Sequence, residues 1–220
     1  MTGARAIIFD LDDTLYPERV YAFSGFEAVA TAFGARLGAD FDLSRHMREL
    51  FDTPHRPRVF DLIAKECRAA DAEKLVPEMI EVFRSHAPNI HLHPDADAAL
   101  SRLRPSHRLG LITDGFAVAQ YAKIKALRLR SRLDELIVTD DWGREFWKPH
   151  PRAFQEIAKH FDIEQERCTY VADNPSKDFP APNALGWRTV LIKRPDGIHA
   201  GNPACEHGAP HEIITTLDEL

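Results

Sequence analysis

Acids, a hydroxyl and a lysine recur at one kind of place in this chain, just after a short apolar run. Phe9-Asp-Leu-Asp-Asp-Thr14 sets Asp10, Asp12, Asp13 and Thr14 behind the apolar residues 6–9. Thr113 and Asp114 follow residues 109–112, Lys148 lies in the loop beyond residues 136–138, and Asp173, Asn174 and Asp178 follow residues 169–172. Carboxylates gathered at one point repel each other. A hard divalent cation is the usual remedy, and Mg²⁺ in particular accepts a few carboxylates together with water and phosphate oxygens. A threonine and a lysine on the same rim can hold phosphate oxygens. The set therefore points to Mg²⁺-assisted phosphoryl chemistry. Taken singly, each acid has a plainer reading as a helix cap or turn former. Asp114 is expected to cap or turn, and Asp13 to serve its own turn.

Such residues meet only if the runs before them are neighbouring strands. The runs are short and apolar, including residues 189–192, as expected for strands buried on both faces. Helical patterns lie between most of them, at residues 95–103 with an acidic first turn, at 118–127, and at 151–161 with Pro151 at the start. Alternation of this kind predicts a doubly wound, Rossmann-like parallel sheet, an α/β fold in which ligands bind beyond the carboxyl ends of the strands. Residues 15–93 break the rhythm. They contain no strand pattern and four helical ones, at 20–37, 43–51, 58–68 and 74–86, punctuated by Pro54, Pro57 and Pro88. That is too long for a crossover connection. It reads as a helical domain over residues 16–93, inserted into a core of residues 1–15 and 94–220, with its two ends close together.

The motifs resemble those of the haloacid dehalogenase-like hydrolase superfamily, in order and over essentially the whole chain: Asp10, Asp12 and Thr14; then Thr113; then Lys148-Pro149; then Asp173 and Asp178, where Ala172 replaces the glycine that commonly begins the fourth motif. The resemblance implies that Asp10 is a nucleophile forming an aspartyl-phosphate. Asp12 would be the acid and base, and Thr113 and Lys148 the phosphate-binding residues. Mg²⁺ would be held by Asp10, Asp173 and the backbone carbonyl of Asp12, with Asp178 direct or through water. An acid at position 12 separates phosphate-ester chemistry from the family's dehalogenases. The insert matches the position of the family's helical cap, so substrate choice is expected there. Tyr16, Glu18 and Arg19 are its hinge candidates, alongside Pro17. Arg45, Arg48, His55, Arg56 and Arg58 are candidates for a second anionic group or for a solvated face.

These readings favour a phosphatase of a small phosphorylated metabolite: a sugar phosphate, a phosphoglycolate-like acid or a nucleoside monophosphate. A phosphosugar mutase using the same intermediate stays open. A phospho-accepting signalling domain is the remote alternative, with strand order and insert against it. Among 220 residues the net charge is −6, which argues against a nucleic-acid partner. The basic cluster Lys123, Lys125, Arg128, Arg130 and Arg132 is expected on a solvated face. No long apolar run suggests a membrane span. Three widely spaced cysteines, with no leader-like start, fit a cytoplasmic protein. Residues 193–210 read as a loop. Its His199, Cys205 and His207, with the neighbouring His211, do not match a tight zinc spacing.

Overall fold

A computed structural model describes residues 5–67, 69, 71–199 and 201–220. The chain forms two compact units: one of the residues up to Glu18 with His91–Leu220, the other of Arg19–Ile90. The division falls later than expected at its first boundary because residues 16–18 are tied to the motif before them. The Tyr16 hydroxyl donates to Asp12, and the Glu18 N–H donates to Asp13 Oδ1 at 2.8 Å. On the return, the His93 N–H donates to the Leu15 carbonyl at 2.9 Å, so the two ends of the insert meet.

The larger unit holds six strands, β1 Ala6–Phe9, β2 Arg108–Thr113, β3 Glu135–Val138, β4 Cys168–Ala172, β5 Arg188–Ile192 and β6 Glu212–Ile214. All neighbours are parallel, in the order β3-β2-β1-β4-β5-β6. The chain leaves β1 toward one edge and, after β3, crosses to β4 on the other side. That switch opens a crevice at the carboxyl end of β1. Phe9 pairs with Leu111 on one side and Val171 on the other, so Asp10 emerges between the ends of β2 and β4.

Among the described residues four α-helices accompany this sheet, α5 Pro94–Leu103, α6 Ala117–Ala126, α7 Arg152–Phe161 and the short α8 Pro180–Ala184, which the sequence pattern did not reveal. Pro94 occupies the first turn of α5, where its missing N–H costs nothing. Gly110 lets α7 lie close on β2, since a Cβ there would stand 2.5 Å from Ile157 Cδ1. Phe154 of α7 packs edge-on against Tyr170 and Trp187, with ring centroids 4.9 and 5.4 Å away, and all three are fully buried.

The smaller unit comprises α1 Glu18–Leu37, which begins at the junction, with α2 Leu43–Phe51, α3 Val59–Glu66 and α4 Val76–Ser85. Arg68, expected near the end of the third helix, lies outside the described residues. Phe26 is at the unit's centre, with the rings of Phe51, Phe60 and Phe83 5.5–6.1 Å away. Phe33 is buried as well, while Phe23 and Phe41 are half-buried. Three of the arginines considered for anion binding have partners within the unit: Arg45 pairs with Glu49 at 2.9 Å, Arg48 with Glu27, and Arg56 donates to the Phe51 carbonyl at 3.0 Å. Among the described residues no helix is long and apolar enough to cross a membrane.

One acid fastens the carboxyl-terminal segment to the sheet unit. Asp95 Oδ2 accepts from Arg194 at 2.7 Å, from the Leu217 N–H at 2.8 Å and from the Thr216 hydroxyl at 3.0 Å. Partial burial would raise its carboxyl, but these donors overcome that and hold it at about 2. A depressed folded-state pKa stabilises the fold above the ordinary carboxylate range and ceases to do so as pH falls toward about 2. Asp95→Asn is therefore expected to cost about 1–2 kcal/mol at pH 7, the scale of a lost charged hydrogen bond with allowance for solvent screening. The deficit relative to wild type should shrink below about pH 4. Urea denaturation from pH 7 to pH 3.5 measures this, and a deficit that does not change with pH would contradict it.

Candidate active site

Asp10 continues β1 for one residue, its N–H bonded to the Val171 carbonyl at 2.9 Å. Its carboxylate then meets Lys148, whose ammonium lies 2.5 Å from Asp10 Oδ1 and 2.8 Å from Asp178 Oδ1. The same ammonium donates to the Tyr170 hydroxyl at 2.9 Å. Burial by itself would pull Lys148 down, but the two carboxylates reverse this and hold it well above its ordinary range. Lys148 is thus a fully buried cation fixed between the acid after β1 and the acid in the loop after β4. Asp178 is fastened from the other side by the Asn174 N–H at 3.0 Å. Asp114 does not cap the following helix as expected but ties together the loops around the site. It accepts from the Lys148 N–H at 3.1 Å and the Thr139 hydroxyl at 2.8 Å, and it pairs with Lys177 at 3.0 Å.

Asp10, Asp12 and Asp173 open onto a cavity of about 180 Å³ that Glu18, Lys177 and His199 also line. Thr113, Lys148 and Asp178 are buried, and Lys148 is joined to the cavity through its contact with Asp10. Asp13 does not join them. It takes a left-handed backbone with φ 51°, and its carboxylate accepts from the Glu18 and Ile198 N–H groups at 2.8 and 2.7 Å, the turn-holding role expected of it.

The field in the cavity is short of positive charge. Burial, then the neighbouring carboxylates Asp10 and Asp178, push Asp173 well above the carboxylate range. Burial pushes Asp10 up to about 6 against the pull of Lys148. Glu18, half-buried, is pushed up to about 8 by burial and by Asp12. Asp173 Oδ2 is buried with no hydrogen-bond partner. A buried carboxylate oxygen with no donor of its own, among acids pushed upward, suits a cation. Among the described residues no three His, Cys, Asp or Glu side chains group to hold a metal by themselves. Mg²⁺ commonly takes one or two carboxylates and fills its remaining positions with water and phosphate, so the acids present fit it.

Asp12 differs from the other acids. Burial raises it, but Lys123, the Tyr16 hydroxyl and Gln120 together outweigh burial and lower it. Tyr16 is fully buried with its hydroxyl on Asp12, so the expected substrate contact is corrected to a support for the acid. Glu18 lines the cavity. Arg19 belongs to the helical unit, where it pairs with Asp52 at 2.5 Å.

Residues that sequence reasoning did not assign also reach the site, among them Gln120, Lys123, Lys177 and His199, with Gly115 and Trp147 on the cavity wall and Tyr170 against Lys148. Lys123 corrects the expectation of a solvated basic face. It is buried, whereas Lys125, Arg128 and Arg130 of the same cluster are exposed. Lys177 stands beside Asp178 within the fourth motif, where its charge was a usable signal. His199 comes from the loop of residues 193–210, whose composition indicated only a loop. His211 instead meets Thr189, with Nδ1 2.7 Å from the hydroxyl. Cys67, Cys168 and Cys205 carry free thiols.

Comparison with known proteins supplies an independent line. A family model described as haloacid dehalogenase-like hydrolase matches residues 4–186. A glyceraldehyde 3-phosphate phosphatase of Methanopyrus kandleri is 31% identical over 98% of both chains. The N-acylneuraminate-9-phosphatase of Rattus norvegicus is 28% identical, covering all of this chain and 93% of its own. Among solved structures, a putative hydrolase of the same superfamily, YfnB from Bacillus subtilis, bound to magnesium, superposes with a TM-score of 0.71. It shares 18% identity over 98% of this chain and 96% of its own, a likeness of fold.

Proposed function

The chain belongs to the haloacid dehalogenase-like hydrolases and is a phosphoric monoester hydrolase, and from that premise we propose that it releases phosphate from a small phosphorylated sugar by way of an aspartyl-phosphate on Asp10. The observation that carries this reading is the buried Lys148 fixed between Asp178 and Asp10, the latter lining a cavity rich in acids. Such a cation orients the nucleophile and remains to offset the charge of the phosphoryl group it receives.

The sequence of events follows from the residues. Asp12, held in the carboxylate form by Lys123, Tyr16 and Gln120, first takes a proton, with the substrate's own phosphate monoanion as its source. An Asp10 carboxylate oxygen then attacks phosphorus as the ester P–O bond breaks, and Asp12 gives that proton to the departing sugar oxygen. Asp12, now a carboxylate, takes a proton from water as that water attacks phosphorus. The bond from phosphorus to Asp10 then breaks, and inorganic phosphate leaves. The Thr113 hydroxyl and Lys148 hold phosphoryl oxygens throughout. Asp10, Asp173 and the backbone carbonyl of Asp12 would hold Mg²⁺, with Asp178 acting directly or through water. When bound, Mg²⁺ screens the carboxylates from the phosphate and draws charge from its oxygens.

The named relatives are phosphatases, which favours hydrolysis over transfer between two sugar hydroxyls. They also make triose phosphates the first substrates to try. The free thiols and the absence of a membrane-crossing helix among the described residues suit a cytoplasmic enzyme acting on a metabolite. The test is a panel of phosphorylated metabolites with Mg²⁺, read as released phosphate. Glyceraldehyde 3-phosphate, other sugar phosphates, phosphoglycolate and nucleoside monophosphates belong on it. Turnover of one or more sugar phosphates, lost on chelation and restored by Mg²⁺, is expected. Silence across the panel would overturn the small-molecule reading, and isomerised sugar phosphate without free phosphate would replace it with a mutase.

A further inference from the structure

Asp12 must give a proton to one oxygen and later take one from another, so its carboxylate has to stay within reach of both. We infer that Lys123 and Gln120 are positioning residues that clamp Asp12 for this exchange, an inference that rests on the phosphatase reading above. Lys123 Nζ lies 2.7 Å from Asp12 Oδ1 and 3.0 Å from Oδ2, and so bridges both oxygens. Gln120 Nε2 donates to Asp12 Oδ2 at 3.0 Å from one turn earlier on α6. The Tyr16 hydroxyl completes the set on Oδ1. These donors approach one carboxylate from two segments, the turn after β1 and the helix after β2, and leave its rotation little freedom.

Gln120 also couples the clamp to the phosphate seat. Its Nε2 lies 2.5 Å from Thr113 Oγ1 and 2.5 Å from the Asp114 carbonyl. An amide nitrogen only donates, so Thr113 Oγ1 accepts from it, while the threonine's own hydrogen faces the Asp114 carbonyl at 3.5 Å, a long contact that it can exchange for a phosphoryl oxygen. One side chain thus orients both the group that holds phosphate and the group that moves the proton. Fold stability alone is a weak account of this arrangement. Burying a lysine carries a desolvation cost that its pairing with Asp12 roughly offsets, and Lys123 is 5% exposed. A shell of donors converging on one acid is what geometric precision requires.

The clamp predicts a dependence on the leaving group. Proton donation matters most when an alkoxide would depart and least for p-nitrophenolate, a stable anion. kcat/KM covers steps only through departure of the leaving group, so it isolates the first transfer. The experiment compares kcat/KM for glycerol 3-phosphate and p-nitrophenyl phosphate, with Mg²⁺, in wild type, Lys123→Met, Lys123→Arg and Gln120→Met. Lys123→Met should lower the alkyl-to-aryl ratio about 10–100-fold, part of the effect of a general acid. Gln120→Met should lower it less, and Lys123→Arg should restore much of it. A ratio measured on one preparation is insensitive to the fraction folded, and Gln120→Met gives the same readout if Lys123→Met does not fold. Equal losses on the two substrates would reduce the clamp to a structural support and overturn the inference. Asp10→Asn and Asp12→Asn run alongside. Turnover that survives Asp10→Asn would overturn the phosphatase mechanism, whereas its loss there with unchanged ratios in all three clamp variants would overturn the clamp alone.

Discussion

Asp10→Asn is expected to lower phosphate release by about 10⁴-fold or more while leaving the protein folded. The amide keeps the shape of the carboxylate but is no nucleophile toward phosphorus. The backbone bond from Asp10 to Val171 that continues the sheet is untouched. Lys148 keeps Asp178 and Tyr170 as partners. The stability effect has a sign of its own. Asp10 is held up to about 6, above its unfolded value, so its ionisation opposes folding at neutral pH and the penalty fades as pH falls through that value. Without metal at pH 7.5, the variant should melt no lower than wild type. Phosphate release with Mg²⁺ and thermal melting without it measure the two halves. Turnover within about a hundredfold of wild type would remove Asp10 from the nucleophile's role.

The second large effect belongs to Lys148→Met. Methionine fills much of the volume but removes the charge between Asp10 and Asp178, leaving two buried carboxylates without the cation that separates them. Breaking a buried pair from one side costs about 3–5 kcal/mol. Loss of a preorganised donor to the phosphoryl group costs about 10²–10³-fold in kcat. Mg²⁺ should recover part of the stability, because it supplies positive charge to the same acids, but little of the rate. Denaturation with and without Mg²⁺, beside steady-state kinetics, separates the two. A variant that loses rate and keeps full stability would show that Lys148 is not the counter-charge the geometry makes it.

The parts of this site that could be read from the chain share a physical reason. Asp10 and Asp173 follow a buried strand and Thr113 ends one, and a parallel sheet brings such positions together without further information. Short apolar runs and the residues just after them were therefore enough. The supporting shell has no such rule. Lys123 and Lys125 look alike in a helix of weak amphipathic pattern, and only the docking of α6 buries one and exposes the other. Buried lysines are rare enough that the solvated reading is the natural one. Tyr16 was misjudged because its place beside the motif suggested contact with substrate, whereas the turn at Asp13 folds it back onto Asp12. His199 depended on the path of a long irregular loop, which neither periodicity nor composition describes. The short α8 escaped notice because Pro180 and Pro182 argue for a loop, although proline is well tolerated in a helix's first turn.

The hydrogen bond between His93 and Leu15 has a consequence for what the insert can be. Where the insert leaves and where it returns are held together by the sheet unit's own backbone, and the return strand of chain is anchored two residues later through Asp95. The junction is a socket. Whatever is plugged into it need not span a gap or contribute to the sheet, so a longer, shorter or different insert would leave the path of β1 and the acids that follow it unchanged.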